Sequence, residues 1–83
     1  MEAEVLHLLI RSKLMDGRLP LDSMPRFWGV NGDGEVCHAC DKPITKKELM
    51  MEGLAWTLIS KRPVQFHVRC FQIWDAERRA PKT

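Results

Sequence analysis

The stretch Cys37-His38-Ala39-Cys40, together with its counterpart His67-Val68-Arg69-Cys70, decides how this chain folds. Each motif places two metal ligands three positions apart, so that together they offer three thiolates and one imidazole. Four such ligands complete the tetrahedron that Zn²⁺ adopts in structural sites. The sequence therefore predicts one structural zinc ion, bound by Cys37, Cys40, His67 and Cys70.

Chain length and cysteine content favour the same conclusion. The 83 residues make one domain at most, and chains of this size often need a metal, disulfides or a partner to be stable. All three cysteines lie within the two motifs, which argues against a disulfide framework. Acidic residues stand where a secretory signal would be basic, and no apolar run is long enough to span a membrane. We therefore expect a cytoplasmic protein with reduced thiols and no membrane association.

The charge is unevenly distributed along the chain. Residues 1–35 carry four basic and six acidic side chains, whereas residues 36–83 carry nine and five. The second part is therefore mildly basic, well short of the strong basic patch typical of nucleic-acid-binding domains. We expect Lys46, Lys47, Lys61 and Arg62 to be solvated; the alternative is that they converge on one face and contact phosphates.

Residues 1–34 are expected to form an N-terminal helix followed by a connector. Apolar side chains recur at three- and four-residue steps between residues 2 and 15, which places them on one helix face, and Asp16-Gly17 is a typical helix end. That face includes Leu6, Leu9 and Ile10. It needs a partner, which we expect to be the rest of the chain; the alternatives are a second copy, in a homodimer, or another protein.

The connector, residues 18–34, is rich in proline and glycine and is expected to be extended. Phe27 and Trp28 stand out in it as its aromatic side chains. We expect them to fill the small core where the connector crosses the metal-binding part. The alternative is that they form an exposed aromatic anchor for a protein partner.

Residues 35–80 form the predicted zinc-binding module, and residues 81–83 a frayed tail. Two short strands are expected around Gly53, and residues 64–67 alternate like a further strand. Thr45 and Glu48 also match a capping box, which could open a helix instead, but we favour strands because Gly53 leaves little room for one.

A second helix is predicted from Val68 to about Arg79. Cys70 falls in its first turn, and Pro81 prevents the helix from continuing. The resulting fold class is a small α+β domain stabilised by zinc, with an additional N-terminal helix.

A cysteine pair, a β-hairpin and a helix whose start carries the last two ligands together resemble a treble-clef zinc finger. Within residues 35–75, Cys37-x-x-Cys40, Pro43-Ile44 and His67-x-x-Cys70-Phe71 look like the first half of a LIM domain. The resemblance implies the same four zinc ligands. The chain as a whole, including residues 10–20, is also similar to small bacterial zinc-binding proteins of unassigned function.

The ligand set favours a structural metal over a catalytic one, because a catalytic zinc keeps one coordination position for water. The motif of zinc deaminases is missing, and thioredoxin-like chemistry at Cys37 and Cys40 would need a βαβ unit. We therefore expect no enzymatic activity. His38, between the two cysteines, is expected to face away from the metal, and His7 to be a solvated surface residue.

Two functions remain open at this point. The first is a small protein-interaction adaptor, in which the zinc module is a rigid platform and the first helix, with Phe27 and Trp28, contacts the partner. The second is a nucleic-acid-binding regulatory zinc finger that uses the basic second half of the chain.

Overall fold

The computed structural model describes residues 2–22, 24, 26–56 and 61–80. The elements follow one another as α1 (Ala3–Met15), β1 (Phe27–Asn31), β2 (Glu35–Val36), β3 (Pro43–Ile44), β4 (Leu49–Trp56), β5 (Lys61–His67) and α2 (Val68–Arg79). The expected α+β architecture with an N-terminal helix is therefore present. The first helix ends as expected, at Asp16 and at Gly17, whose φ of 84° is the left-handed conformation that glycine adopts easily.

The strands form two antiparallel sheets. One has three strands in the order β1-β4-β5, and the other pairs the short strands β2 and β3. In the larger sheet, Met51 of the central strand lies opposite Gly29 on one side and Phe66 on the other. This sheet joins the connector to the metal-binding part, because β1 comes from residues 18–34.

The expectation of two short strands around Gly53 is wrong. Strand β4 runs without interruption through Gly53, which pairs with Phe27 on one side and Val64 on the other. A Cβ atom at this position would lie 2.7 Å from the sulfur of Met24 and 2.9 Å from the carbonyl oxygen of Arg26. Glycine here therefore permits the close approach of the chain that precedes β1, and does not mark a turn.

The capping-box residues form their hydrogen bonds without opening a helix. The backbone N–H and the hydroxyl of Thr45 both donate to Oε1 of Glu48 at 3.0 Å. The Glu48 N–H donates in return to the Thr45 carbonyl at 3.0 Å. This closes a single turn directly before β4, so the preference for strands over a helix here is confirmed.

The core lies where the two helices meet the larger sheet. From the first helix, Leu6 and Ile10 are 2% and 0% exposed and belong to the same buried cluster as Phe66 and Trp74. The apolar face of α1 thus packs on the rest of the chain, as we expected of it. Leu6 and Ile10 are consequently not accessible to a partner of the folded chain, and Leu9 is half-buried.

A polar contact also joins the two helices. Nδ1 of His7 lies 2.7 Å from Oε2 of Glu77, and the guanidinium of Arg11 donates to both oxygens of the same carboxylate at 3.1 and 3.2 Å. The hydrogen bond from Arg11, more than the one from His7, holds the pKa of Glu77 below its ordinary value. The expectation that His7 is only solvated is wrong, because it is half-buried against α2.

Candidate metal centre

The four predicted ligands come together in the structure. Cys37 and Cys40 lie on the turn between β2 and β3, His67 is the last residue of β5, and Cys70 lies in the first turn of α2. Their ligand atoms are all within 4.8 Å of one another. The three cysteines are buried, with exposed fractions of 0%, 8% and 3%. The sequence prediction of a Cys3His group that could hold a metal ion is confirmed.

The turn that carries the first two ligands is a tight reversal. The Cys37 N–H donates to the Lys42 carbonyl at 2.9 Å, and the Asp41 N–H donates to the Cys37 carbonyl at 2.9 Å. Asp41 closes the reversal with a φ of 64°, a left-handed conformation that aspartate tolerates better than most residues. The reversal brings the sulfurs of Cys37 and Cys40 to one side of the chain, where they can share a metal.

The imidazole of His67 is oriented for coordination through Nδ1. This nitrogen lies 3.4 Å from Sγ of Cys40 and 3.9 Å from Sγ of Cys70. A tetrahedron with Zn–S near 2.3 Å and Zn–N near 2.0 Å has a sulfur–nitrogen edge of roughly 3.5 Å, so the group fits zinc. The other ring nitrogen, Nε2, donates to the Pro43 carbonyl at 3.2 Å, the usual way in which a metal-binding histidine is held.

The thiols cannot all ionise without a compensating cation. A hydrogen bond with the Cys70 thiol lowers the pKa of Cys37 to about 4, and the same interaction raises the pKa of Cys70. Burial is the main reason that the pKa of Cys40 is raised as well. A divalent cation would replace the protons of Cys40 and Cys70 and offset two of the three thiolate charges, which is how metal binding couples to deprotonation.

Sequence reasoning missed a buried lysine behind this turn. Lys13 of α1 is 3% exposed, and its Nζ donates to the His38 carbonyl at 2.9 Å and to Oδ1 of Asp41 at 2.8 Å. In the sequence, Lys13 stands three residues after Ile10 on the apolar face of the helix, and this position is the signal that indicates its burial. Lys13 thus attaches the N-terminal helix to the loop that carries Cys37 and Cys40.

His38 is not part of the metal-binding group, as expected. Its backbone N–H donates to the Gln65 carbonyl at 2.9 Å, and its Nδ1 accepts the Gln65 N–H at 3.0 Å. The residue therefore covers part of the outer edge of β5 and fixes the turn against the larger sheet.

Phe27 and Trp28 lie on β1 and remain 54% and 40% exposed. The Phe27 ring contacts Phe71 of α2 with 5.2 Å between ring centroids, whereas Nε1 of Trp28 donates to Oε1 of Glu52 at 3.2 Å. Contrary to the expectation that they fill the core, both side chains keep a large part of their surface in solvent.

Of the four basic residues of the nucleic-acid alternative, only Lys46 and Lys47 have side chains in the described part of the chain. Lys46 is highly exposed with its Nζ 3.6 Å from a carboxylate oxygen of Asp33, and Lys47 is exposed on the same turn. The side chains of Lys61 and Arg62 lie outside the described part of the chain. The nucleic-acid alternative stays a prediction.

The fold and these four residues define a small α+β domain with a Cys3His group that could hold a metal ion. Comparisons with known protein families, with curated proteins and with solved structures gave no match to this chain. Within the described residues, neither helix is both long enough and apolar enough to cross a membrane.

Proposed function

We propose that this protein is a cytoplasmic protein-interaction adaptor whose fold is held by one structural zinc ion. The observation that carries the proposal is strand β1, all five residues of which are exposed, including the aromatic side chains of Phe27 and Trp28. Large exposed aromatic side chains on a rigid element are the typical centre of a protein–protein interface.

The donor set supports zinc as the metal. Three thiolates and one imidazole are soft to borderline ligands, which suit zinc and are unsuited to magnesium or calcium, both of which prefer oxygen. Four protein ligands complete a tetrahedron and reserve no position for water, so the proposal gives the metal no catalytic role and the protein no enzymatic activity. All three cysteines belong to the possible metal site and none forms a disulfide, which supports a reducing, cytoplasmic location.

The order of the elements around the metal supports a treble-clef arrangement similar to the first half of a LIM domain. The turn with the first two cysteines is followed by the β4–β5 hairpin, and the last two ligands, His67 and Cys70, stand at the junction of β5 and α2. Zinc in this position would fasten the turn to the start of α2. It would thereby hold in place the sheet that carries β1.

The packing of β1 supports its role as a platform. Its inner edge pairs with β4 over five residues, the Phe27 ring contacts Phe71, and the Trp28 ring is oriented by its hydrogen bond to Glu52. Glu52 is itself held by Nε2 of Gln65, which donates to its second oxygen at 3.0 Å. Exposed aromatic groups that are already ordered lose little conformational entropy when they bind.

A photo-crosslinking phenylalanine analogue at position 27 tests this proposal in intact cells. We expect ultraviolet light to join the protein covalently to a protein partner when the analogue replaces Phe27. The matched control places the analogue at Leu8, which is 62% exposed on α1, and there we expect no adduct.

Equal crosslinking at positions 27 and 8 would refute an interaction surface on β1. So would the absence of any protein adduct at position 27. Binding to mixed DNA or RNA at low salt, abolished when Lys46, Lys47, Lys61 and Arg62 are neutralised, would replace the proposal by the nucleic-acid alternative.

A further inference from the structure

The outer edge of β1 carries backbone groups with no partner strand among the described residues. At the two ends of β1, the Arg26 carbonyl accepts the Leu54 N–H at 3.2 Å and the Gly32 N–H donates to Glu48 at 2.9 Å. Because hydrogen-bonded pairs alternate in an antiparallel ladder, the backbone N–H and C=O groups of residues 28 and 30 also point towards β4. The N–H and C=O groups of Phe27, Gly29 and Asn31 therefore point away from the sheet, and β1 is the last strand in the order.

This edge lacks the usual protection against strand pairing. Proteins commonly protect an exposed edge with charged side chains, proline or a β-bulge. Strand β1 has the sequence Phe-Trp-Gly-Val-Asn, with no charge and no proline, and it pairs with β4 in an unbroken register. The outer edge of β5, in contrast, is partly covered by His38 through its two hydrogen bonds to Gln65.

We propose that β1 pairs in antiparallel orientation with β1 of a second copy of this chain, with Gly29 opposite the partner's Gly29. The inference rests on the proposed function and names the partner of the β1 surface. In this register Phe27 lies opposite the partner's Asn31, so every outward-facing residue meets another outward-facing residue. The strand is thus complementary to itself about a two-fold axis, and the two sheets become one of six strands.

The same register brings the exposed apolar side chains together. Trp28 lies opposite the partner's Val30, at non-hydrogen-bonded positions where opposing side chains are closest. Both side chains stand on the same face of the strand and are 40% and 37% exposed in the single chain. The pair occurs twice because of the symmetry. A slip of one residue would set outward-facing groups against inward-facing ones and separate both pairs.

Charges at the two ends of the strand favour a second copy as the occupant. Arg26 precedes β1 and is exposed, and Asp33 follows it by two residues with a side chain that is 72% exposed. The antiparallel register places Arg26 opposite the partner's Gly32 and therefore beside the partner's Asp33. Opposite charges meet at both ends of the pairing, whereas a parallel arrangement would set like charges together.

Sedimentation equilibrium of the purified, zinc-loaded protein tests the pairing. We expect a dimer of the 9.6 kDa chain whose dissociation constant rises at least tenfold in Val30→Lys, because this change places two ammonium groups near the two-fold axis. The matched control is Val5→Lys, on an exposed position of α1, which should dimerise like the wild type.

A charge exchange provides a second test that does not depend on Val30. Arg26→Asp and Asp33→Arg should each weaken the dimer several-fold, and the double variant should restore it, since the exchanged charges again oppose each other. Zinc content and circular dichroism establish that each variant is folded.

A wild-type protein that stays monomeric up to about 1 mM, or a dimer unaffected by Val30→Lys, would overturn the inference. If such a monomer still gives an adduct with a different protein at position 27, the inference fails and the proposed interaction surface stands. If neither dimer nor adduct forms, both fail.

Discussion

Replacing Lys13 by methionine tests whether the N-terminal helix stabilises the metal-binding turn. The Lys13 ammonium is buried and donates two hydrogen bonds, to the His38 carbonyl at 2.9 Å and to Asp41 at 2.8 Å. Methionine keeps most of the volume and the flexibility of the side chain. The substitution therefore removes the charge and the two hydrogen bonds while it leaves the packing of α1 largely intact.

The size of the effect follows from the surroundings of each partner. A hydrogen bond from a charged group contributes about 1.5–3 kcal/mol, and burying the ammonium offsets part of the sum. The Asp41 side chain is 65% exposed and becomes solvated after the change, whereas the His38 carbonyl loses its lysine donor. We expect Lys13→Met to lower the free energy of unfolding by about 2 kcal/mol, and the melting temperature by roughly 10 °C.

A substitution at the partner residue, Asp41, should lower the free energy of unfolding by at least as much. Asp41→Asn keeps a residue that tolerates the left-handed φ, but it leaves the buried ammonium facing a neutral side chain. With Lys13 already replaced, the same change should cost little, because no buried charge then needs the carboxylate. The double variant should therefore be about as stable as Lys13→Met alone.

Urea unfolding of zinc-loaded protein, at one buffered free zinc concentration, measures all three variants. Lys47→Met is the control, since Lys47 is exposed, and it should change the free energy of unfolding by less than about 0.5 kcal/mol. If Lys13→Met is as stable as this control, or if the effects of the two single substitutions simply add, Lys13 and Asp41 do not stabilise the metal-binding turn together.

The ligands, their protons and the contact between the helices can be tested in the same protein. Cys70→Ala should abolish stoichiometric zinc binding and most tertiary structure, by metal analysis and melting; a variant that melts like the wild type without zinc would contradict this. The pKa values of Cys40 and Cys70 are raised, and both thiols lose their protons when a metal binds. The zinc affinity, measured by competition with a chelator, should therefore rise between about pH 5 and 8. An affinity that does not change with pH would argue against thiolate ligation. Glu77→Gln should lower the melting temperature by a few degrees, whereas Glu4→Gln, at an exposed position, should not. Equal melting temperatures of the two variants would show that the contact between the helices does not stabilise the fold.

The parts of the fold that were predictable from sequence depend on local spacing. Within each ligand pair the two residues lie three positions apart, and the first helix repeats its apolar side chains with helical periodicity. Both features can therefore be recognised without knowledge of distant contacts. The same holds for the end of α1 at Gly17, because the ease with which glycine adopts a positive φ is intrinsic to that residue.

The parts that were missed depend on partners far away in the sequence. The sequence predicts a connector at Phe27, because its strand is defined only by pairing with Gly53 in β4. Gly53 itself predicts a break between two strands, since nothing local reveals that the chain near Met24 contacts it. Likewise the local sequence predicts a solvated His7, because Glu77, its hydrogen-bond partner, lies at the other end of the chain.

We propose that one zinc ion, held by Cys37, Cys40, His67 and Cys70, closes this fold. A zinc titration of the metal-free chain, followed by two-dimensional amide NMR, measures this coupling between metal binding and folding. We expect the dispersed spectrum of a folded domain to grow with added zinc, to be complete at one equivalent, and to collapse again with chelator. A metal-free chain that already shows the dispersed spectrum and does not change when zinc is added would contradict the claim.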